Sequence, residues 1–248
     1  MELVFGLVGN PLKNKFSVDY FTKKFKEANL PYTYQNFSMD SFDEVIALLQ
    51  KTPHLGGINV TKPYKEKVVS LMDELSEEAQ KCGAVNCIQF KKDGSLKGHN
   101  TDVVGFKKSL KKFIGSDRKM SALVIGNGGA SKAVCYVLAD LKIPYEVVSR
   151  RAQKTTFEID YSKVNAAKIQ EHKLIVNTSP VGMYPHDEEK IALDLGGIGA
   201  AHYCYDLIYL PEKTRFLQEA EERGAKIKNG LEMLHLQADE AYRIWMAG

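Results

Sequence analysis

Ala122-Leu123-Val124-Ile125-Gly126-Asn127-Gly128-Gly129-Ala130-Ser131 reads as a buried strand running straight into a glycine turn, and helical spacing follows at once from Ser131 to Leu141. A dinucleotide site requires that order: glycine lets the backbone approach a pyrophosphate, and the helix N-terminus offers N–H donors and a positive dipole end. Ser131 stands where the third glycine of G-x-G-x-x-G would be. A glycine turn alone is weak evidence and also fits a tight turn with no ligand; the flanking strand and helix favour the ligand. The next strand, Tyr145 to Val148, ends at Ser149-Arg150-Arg151, with Lys154 one turn on. An NAD site usually carries Asp or Glu at this strand end, whereas guanidinium forks suit a 2′-phosphate and stack on adenine. Glu146 lies inside the strand, three residues too early. The expected cofactor is therefore NADP(H), held by Gly126, Asn127, Gly128, Gly129 and Ala130 at the turn and by Ser149, Arg150, Arg151 and Lys154 at the ribose.

Outward from this turn, strands and helices alternate in two series. Towards the N-terminus, Val4 to Val8, Tyr32 to Phe37 and Gly57 to Val60 read as strands. Helical faces follow each: Val18, Phe21, Phe25 and Ala28; Phe42, Val45, Ile46, Leu48 and Leu49; and Pro63 to about Met72. Three such alternations favour a parallel α/β sheet. Val85 to Phe90, the turn Lys92-Asp93-Gly94 and Ser95 to His99 read as a hairpin added at its edge. After Thr101 come a helix from Val103 to Phe113, the glycine-turn unit, strands at Leu174 to Val176 and Tyr203 to Ile208, and helices near Thr214 to Arg223 and Leu231 to Met246. The expected class is α/β in two units, joined near Thr101.

Composition narrows the function classes. The 248 residues are enough for one large or two ordinary domains. A net charge of +3 does not argue for nucleic acid. Lysines 107, 108, 111 and 112 alternate with Val104, Leu110 and Phe113 as the solvated face of a helix. No segment approaches the ~18 apolar residues of a membrane span, and the N-terminus lacks the basic-then-apolar plan of a signal peptide. Cys82, Cys87, Cys135 and Cys204 show no C-x-x-C spacing, and the six histidines form no H-E-x-x-H. These features predict reduced cysteines, a cytoplasmic location and no metal site.

A second informative stretch is Gly57-Ile58-Asn59-Val60-Thr61-Lys62-Pro63-Tyr64-Lys65. An apolar run ends on Asn and Thr, Pro63 opens a predicted helix, and Lys65 falls in its first turn. Short polar side chains at a strand end and a lysine one turn later can converge on a small polar ligand. The positive end of a helix dipole disfavours an ammonium there, so a structural role is an odd fit. A merely solvated lysine remains the alternative on this segment alone.

Taken together, the chain resembles the shikimate dehydrogenase family over nearly its whole length. The resemblance is carried by Gly9-Asn10-Pro11-Leu12, Asn59 to Lys65, Gly83-Ala84-Val85-Asn86, Asn100-Thr101-Asp102, Gly126 to Ser131, Asn177-Thr178-Ser179-Pro180-Val181-Gly182-Met183, Tyr205-Asp206-Leu207-Ile208-Tyr209 and Gln237, in that order. It implies an N-terminal α/β substrate domain (1–101 with 225–248), a Rossmann-like NADP-binding domain (102–224) and a cleft between them. It further implies reversible hydride transfer between NADPH and the ring carbonyl of 3-dehydroshikimate, within aromatic amino acid and chorismate biosynthesis, by a monomer or homodimer.

By position, Lys65 and Asp102 match the catalytic pair. Asn59, Thr61, Asn86, Asp102 and Gln237 match residues on the ring hydroxyls, and Ser17 and Tyr209 those on the carboxylate. Thr178, Gly230 and Met233 match cofactor positions. The chemistry is consistent, since hydride addition to a ketone creates alkoxide character that needs an acid within reach. The chain departs from the family where His-Ser-x-Ser is usual: it reads Asn14-Lys15-Phe16-Ser17, and Leu210 replaces a common asparagine. Lys15 either pairs with the substrate carboxylate or turns to solvent. A quinate or other cyclic hydroxy acid dehydrogenase, and a non-catalytic NADP-binding paralogue, are the alternatives.

Overall fold

The structure is a computed structural model that describes residues 2–12, 15–117, 119–150 and 158–247. The chain forms two compact units, Met1–Val104 with Gln237–Gly248, and Gly105–Leu236.

In the first unit, β1 (Val4–Gly9), α1 (Phe16–Glu27), β2 (Thr33–Ser38), α2 (Phe42–Lys51) and β3 (Leu55–Val60) alternate as the sequence predicts. They are followed by a 3₁₀ segment at Lys67–Leu71, β4 (Glu74–Leu75), α3 (Glu77–Cys82), β5 (Cys87–Phe90) and β6 (Leu96–His99). The sheet order is β2-β1-β3-β5-β6-β4. β1 pairs in parallel with β2 and β3, and the β5–β6 hairpin joins antiparallel to β3. The hairpin is not the edge: two-residue β4, which periodicity is too short to reveal, pairs outside β6.

One sheet face packs Val8, Ile58 and Val60 against Val45, Leu48 and Leu49 of α2. The other is aromatic, with Phe5, Phe21, Phe25, Tyr34 and Trp245 in one cluster. Trp245 lies on α8 (Leu231–Met246), and its indole donates to the Ile88 carbonyl at 3.0 Å. A Cβ on Gly57 would sit 2.2 Å from that indole nitrogen, so glycine is what lets the helix approach the strand.

In the second unit, α4 (Thr101–Ile114, from Gly105 on), β7 (Ala122–Ile125), α5 (Gly129–Asp140) and β8 (Tyr145–Ser149) lead to β9 (Glu158–Asp160) and α6 (Ala166–Glu171). β10 (Leu174–Asn177), β11 (Tyr203–Asp206), α7 (Arg215–Glu222) and β12 (Lys226–Lys228) complete it, with α8 as far as Leu236. All its strand pairs are parallel, in the order β12-β11-β10-β7-β8-β9. Counted from β7 this is the doubly wound order whose chain reverses between β7 and β10, where ligands of such sheets bind. Of the α4 lysines, Lys107 pairs with Asp140 at 2.8 Å and Lys112 with Glu232 at 2.7 Å, while Lys108 and Lys111 are exposed.

Three expectations are corrected. The return to the first unit lies at Gln237 rather than 225, because β12 pairs with β11 and keeps residues 225–236 in the second unit. The strand at Tyr203 stops at Asp206, whose carboxylate accepts from the Ile208 N–H at 3.0 Å and turns the chain. No α-helix begins at Pro63: residues 62–66 form turns, and only Lys67–Leu71 is helical, as 3₁₀. The Lys65 carbonyl accepts from the Val85 N–H at 2.8 Å instead of from Val69, whose N–H goes to Glu66. The i→i−4 bond that an α-helix would make at Lys65 is therefore absent, and the chain continues in the tighter i→i−3 pattern.

Candidate active site

In the first unit, polar residues from several separate segments are linked around the end of β3. Lys65 Nζ stands 2.6 Å from Asp102 Oδ2, with the two side chains only 17% and 10% exposed. The turn places Lys65 by holding its carbonyl on Val85, so the helix-dipole argument drawn from sequence does not apply to it. That argument applies to Asp102, which lies in the first turn of α4, where a carboxylate is favoured. The start of α4 is capped by Asn86, whose Oδ1 accepts from the Thr101 N–H at 2.7 Å. Asn86 Nδ2 donates to Thr101 Oγ1 at 3.0 Å, and the Thr101 hydroxyl lies 3.3 Å from Gln237 Oε1 on α8.

Asn59 joins the same web, donating to the Asn86 carbonyl at 3.3 Å and accepting from the Tyr34 hydroxyl at 2.9 Å. Ser17, in the first turn of α1, hydrogen-bonds the same Tyr34 phenol. Thr61 follows β3 with its N–H on the Val8 carbonyl at 2.8 Å, and its methyl occupies the room that Gly9 leaves. Lys15 is exposed at the N-cap position of α1 and makes no capping hydrogen bond. Asn14 lies outside the described residues.

In the second unit, the glycine turn sits at the reversal point of the sheet. Gly126 has φ +102°, and a Cβ there would be 2.9 Å from the Thr178 hydroxyl at the end of β10. That hydroxyl donates to the Ile125 carbonyl at 2.8 Å, tying the two strand ends together. Gly128 is the N-cap of α5 and faces open space, and no acidic residue stands in the first turn of the helix. The helix starts at Gly129, so Ala130 and Ser131 are both within it, and Ser131 is buried. Asn127 donates to Glu158 at 3.1 Å.

Ser149 ends β8 and exposed Arg150 follows it in a turn, while Arg151 and Lys154 lie outside the described residues. Glu146 pairs with Lys168 of α6 at 2.7 Å rather than standing at the strand end. Asp206 is fully buried, and burial pushes its carboxyl up to about 6 against the hydrogen bonds from Thr214, Ile208 and Asn177. These bonds, at 2.6, 3.0 and 3.0 Å, fasten the loop that carries half-buried Tyr209. Gly230 donates its N–H to the Ile208 carbonyl at 3.0 Å, and a Cβ on it would lie 2.0 Å from the Leu207 carbonyl. Met233 is buried in the first turn of α8, and Leu210 is half exposed.

The structure thus gathers Ser17, Asn59, Lys65, Asn86, Asp102 and Gln237 in one unit, and the glycine turn, Thr178 and Arg150 in the other. Sequence reasoning omitted Tyr34 and Thr101. Thr101 had a signal, since it sits inside the Asn100-Thr101-Asp102 motif. Tyr34 had none, because an inward tyrosine on an alternating strand looks like any core aromatic.

Residues 7–88 match the family model described as the shikimate dehydrogenase substrate binding domain. The chain is 36% identical to a protein of Caldanaerobacter subterraneus subsp. tengcongensis named shikimate dehydrogenase (NADP(+)), across 98% of this chain and 91% of that one. It is 35% identical to the protein of that name from Methanosphaera stadtmanae, with the same coverage of 98% and 91%. Among solved structures, shikimate 5-dehydrogenase from Thermus thermophilus, in complex with NADP(H) and shikimate, superposes with a TM-score of 0.87 at 31% identity, covering 99% of this chain and 94% of that one.

Proposed function

We propose that this chain, which belongs to the shikimate dehydrogenase family, interconverts 3-dehydroshikimate and shikimate through the Lys65–Asp102 pair. It is an NADP-dependent oxidoreductase of aromatic amino acid and chorismate biosynthesis. The observation that carries the mechanism is the 2.6 Å contact of Lys65 Nζ with Asp102 Oδ2 inside a web of buried amides and hydroxyls. As ketone becomes alcohol, negative charge grows on the carbonyl oxygen, and an acid within hydrogen-bond reach lowers the barrier. An ammonium carries three donors. Asp102 takes one and fixes its direction, leaving donors for the substrate oxygen. In the oxidative direction the hydroxyl proton passes to Lys65 as the neutral amine and regenerates the ammonium, the reverse of its donation to the carbonyl oxygen.

Asn59, Thr61, Asn86 and Gln237 offer amides and a hydroxyl for the ring hydroxyls, and Ser17 and Tyr209 offer hydroxyls for the carboxylate. Lys15, exposed and two residues before Ser17, adds attraction to the carboxylate as a solvated charge rather than as a directed bond. The second unit fits the dinucleotide: no Cβ crowds the turn at Gly126, the N-terminus of α5 carries no acid, and β8 ends on Ser149, followed by Arg150, with no carboxylate side chain of its own there. Gly126 to Ala130 and Thr178 would hold the pyrophosphate side, Ser149, Arg150, Arg151 and Lys154 the 2′-phosphate, and Gly230 and Met233 the nicotinamide. When bound, NADPH supplies the hydride. We place the protein in the cytoplasm, as a monomer or homodimer; no helix among the described residues is long and apolar enough to cross a membrane.

The test is NADPH absorbance with shikimate or quinate against NADP or NAD. Shikimate with NADP should turn over best. Turnover with quinate alone would transfer the chain to the quinate branch, and silence on both would favour a non-catalytic paralogue.

A further inference from the structure

Tyr34 lies outside every motif of the chain, yet it touches two members of the substrate set. It points from β2 into the aromatic face and is 5% exposed. Its ring stacks on Phe21 with centroids 4.6 Å apart and 15° between planes. Packing of that kind fixes the ring, and with it the position of the phenol oxygen. That oxygen donates to Asn59 Oδ1 at 2.9 Å and hydrogen-bonds Ser17. A single atom therefore bridges α1 and the end of β3.

We propose that Tyr34 is a positioning residue that sets the Asn59 amide and the Ser17 hydroxyl in the orientation the substrate requires. An asparagine side chain has one acceptor oxygen and two N–H donors, and its polarity reverses on a flip. With Oδ1 held by Tyr34 and one N–H aimed at the Asn86 carbonyl, the second N–H is the group left for a ring hydroxyl. Without the phenol oxygen, Asn59 Oδ1 is buried and loses its donor, a costly state that a flip relieves by presenting the wrong group. Ser17 loses the same anchor and gains rotamer freedom. Burial drives the phenol well above its ordinary range, so it stays a neutral donor wherever the enzyme works. The Tyr34 hydroxyl bonds Asn59 whereas Lys65 bonds Asp102, which separates positioning from proton transfer.

This inference rests on the dehydrogenase reading above, so wild-type turnover of shikimate with NADP is measured first. Its absence overturns that reading; its presence puts the inference itself to the test. Tyr34→Phe removes only the oxygen and keeps the stacked ring. Loss of one such hydrogen bond predicts a rise of about tenfold in KM for shikimate, with kcat within about twofold. KM for NADP should not move, and the rise in Tm that shikimate gives the wild type should shrink. In a double-mutant cycle, Ser17→Ala should cost less in the Tyr34→Phe background than alone, because both changes act through one contact. Three results would overturn the proposal with wild-type activity intact: an unchanged KM and full shikimate protection, an equal rise in KM for shikimate and NADP, or strictly multiplicative effects of the two substitutions.

Discussion

In the first unit Ser17, Tyr34, Asn59, Asn86, Thr101 and Gln237 form a hydrogen-bonded web, with Lys65 and Asp102 beside it, whereas in the second unit the turn at Gly126, Gly128 and Gly129 carries no side chain at those positions. The first arrangement depends on which functional groups each residue carries, and substitutions there should change chemistry or substrate affinity. The second depends on the absence of side chains at a sheet's reversal point, and adding atoms there should change cofactor affinity alone. On the proposed reading the polar web carries proton transfer and most substrate contacts, with Tyr209 the one substrate residue in the second unit, and the glycine turn carries cofactor affinity.

The largest effect is expected at Lys65. Lys65→Ala should lower kcat by at least about a hundredfold while KM changes little, since the lost interaction belongs to the transition state. A variant keeping more than about a tenth of wild-type kcat would remove Lys65 from proton transfer. Its Tm should also fall, because Asp102 is left without its partner in a site where its side chain is 10% exposed.

Gly126→Ala should act in the opposite sense. It asks an L residue to adopt φ +102° and pushes a methyl to 2.9 Å from the Thr178 hydroxyl. The strain of ~1–2 kcal/mol should lower Tm, and the shift of the turn that relieves it should raise KM for NADP by about tenfold while KM for shikimate holds. Equal effects on both constants would erase the division of labour between the units.

Lys15→Ser should raise KM for shikimate by only about two- to fivefold, and the difference should vanish at high salt, as for an exposed charge. A loss above tenfold that persists in salt would make Lys15 a directed carboxylate contact.

The smallest reading is a pH effect at Asp206. Burial raises its folded-state value to about 6, above the usual carboxylate range, so its contribution to stability is present at low pH and is lost as pH rises through that value. Asp206→Asn should therefore gain Tm relative to wild type between acid and neutral pH, by on the order of a few degrees. A difference that stays constant, or falls with pH, would contradict this. Glu232 supplies the opposite case: burial raises it, but Lys112 and Lys228 outweigh that and bring it to about 2, so its contribution is full near neutrality and is lost progressively as pH falls from the usual glutamate range through that value.

The same contrast explains what could be read from sequence. The glycine turn and its flanking strand and helix are contiguous, so Ala122 to Leu141 shows the doubly wound unit directly. Alternating apolar runs likewise announce β1, β2 and β3. The conformation at Lys65 does not follow from its neighbours, because the Val85 N–H, twenty residues on in the chain, takes the carbonyl that an α-helix would need. β4, β9 and α6 are too short for periodicity to register. The Lys65–Asp102 pair was legible only through the family resemblance, since no spacing rule joins positions so far apart. Tyr34 was not legible at all: nothing local separates a tyrosine whose hydroxyl positions an amide from one that fills a core.

The central claim is that Lys65, held by Asp102, moves the proton in an NADP-dependent oxidation of shikimate. Single-turnover rates of NADPH formation for wild type and Lys65→Ala, both saturated with shikimate and NADP, test it most directly. The account predicts fast formation by wild type and a rate at least about a hundredfold lower in the variant, with shikimate affinity retained. Comparable rates in the two proteins would contradict it.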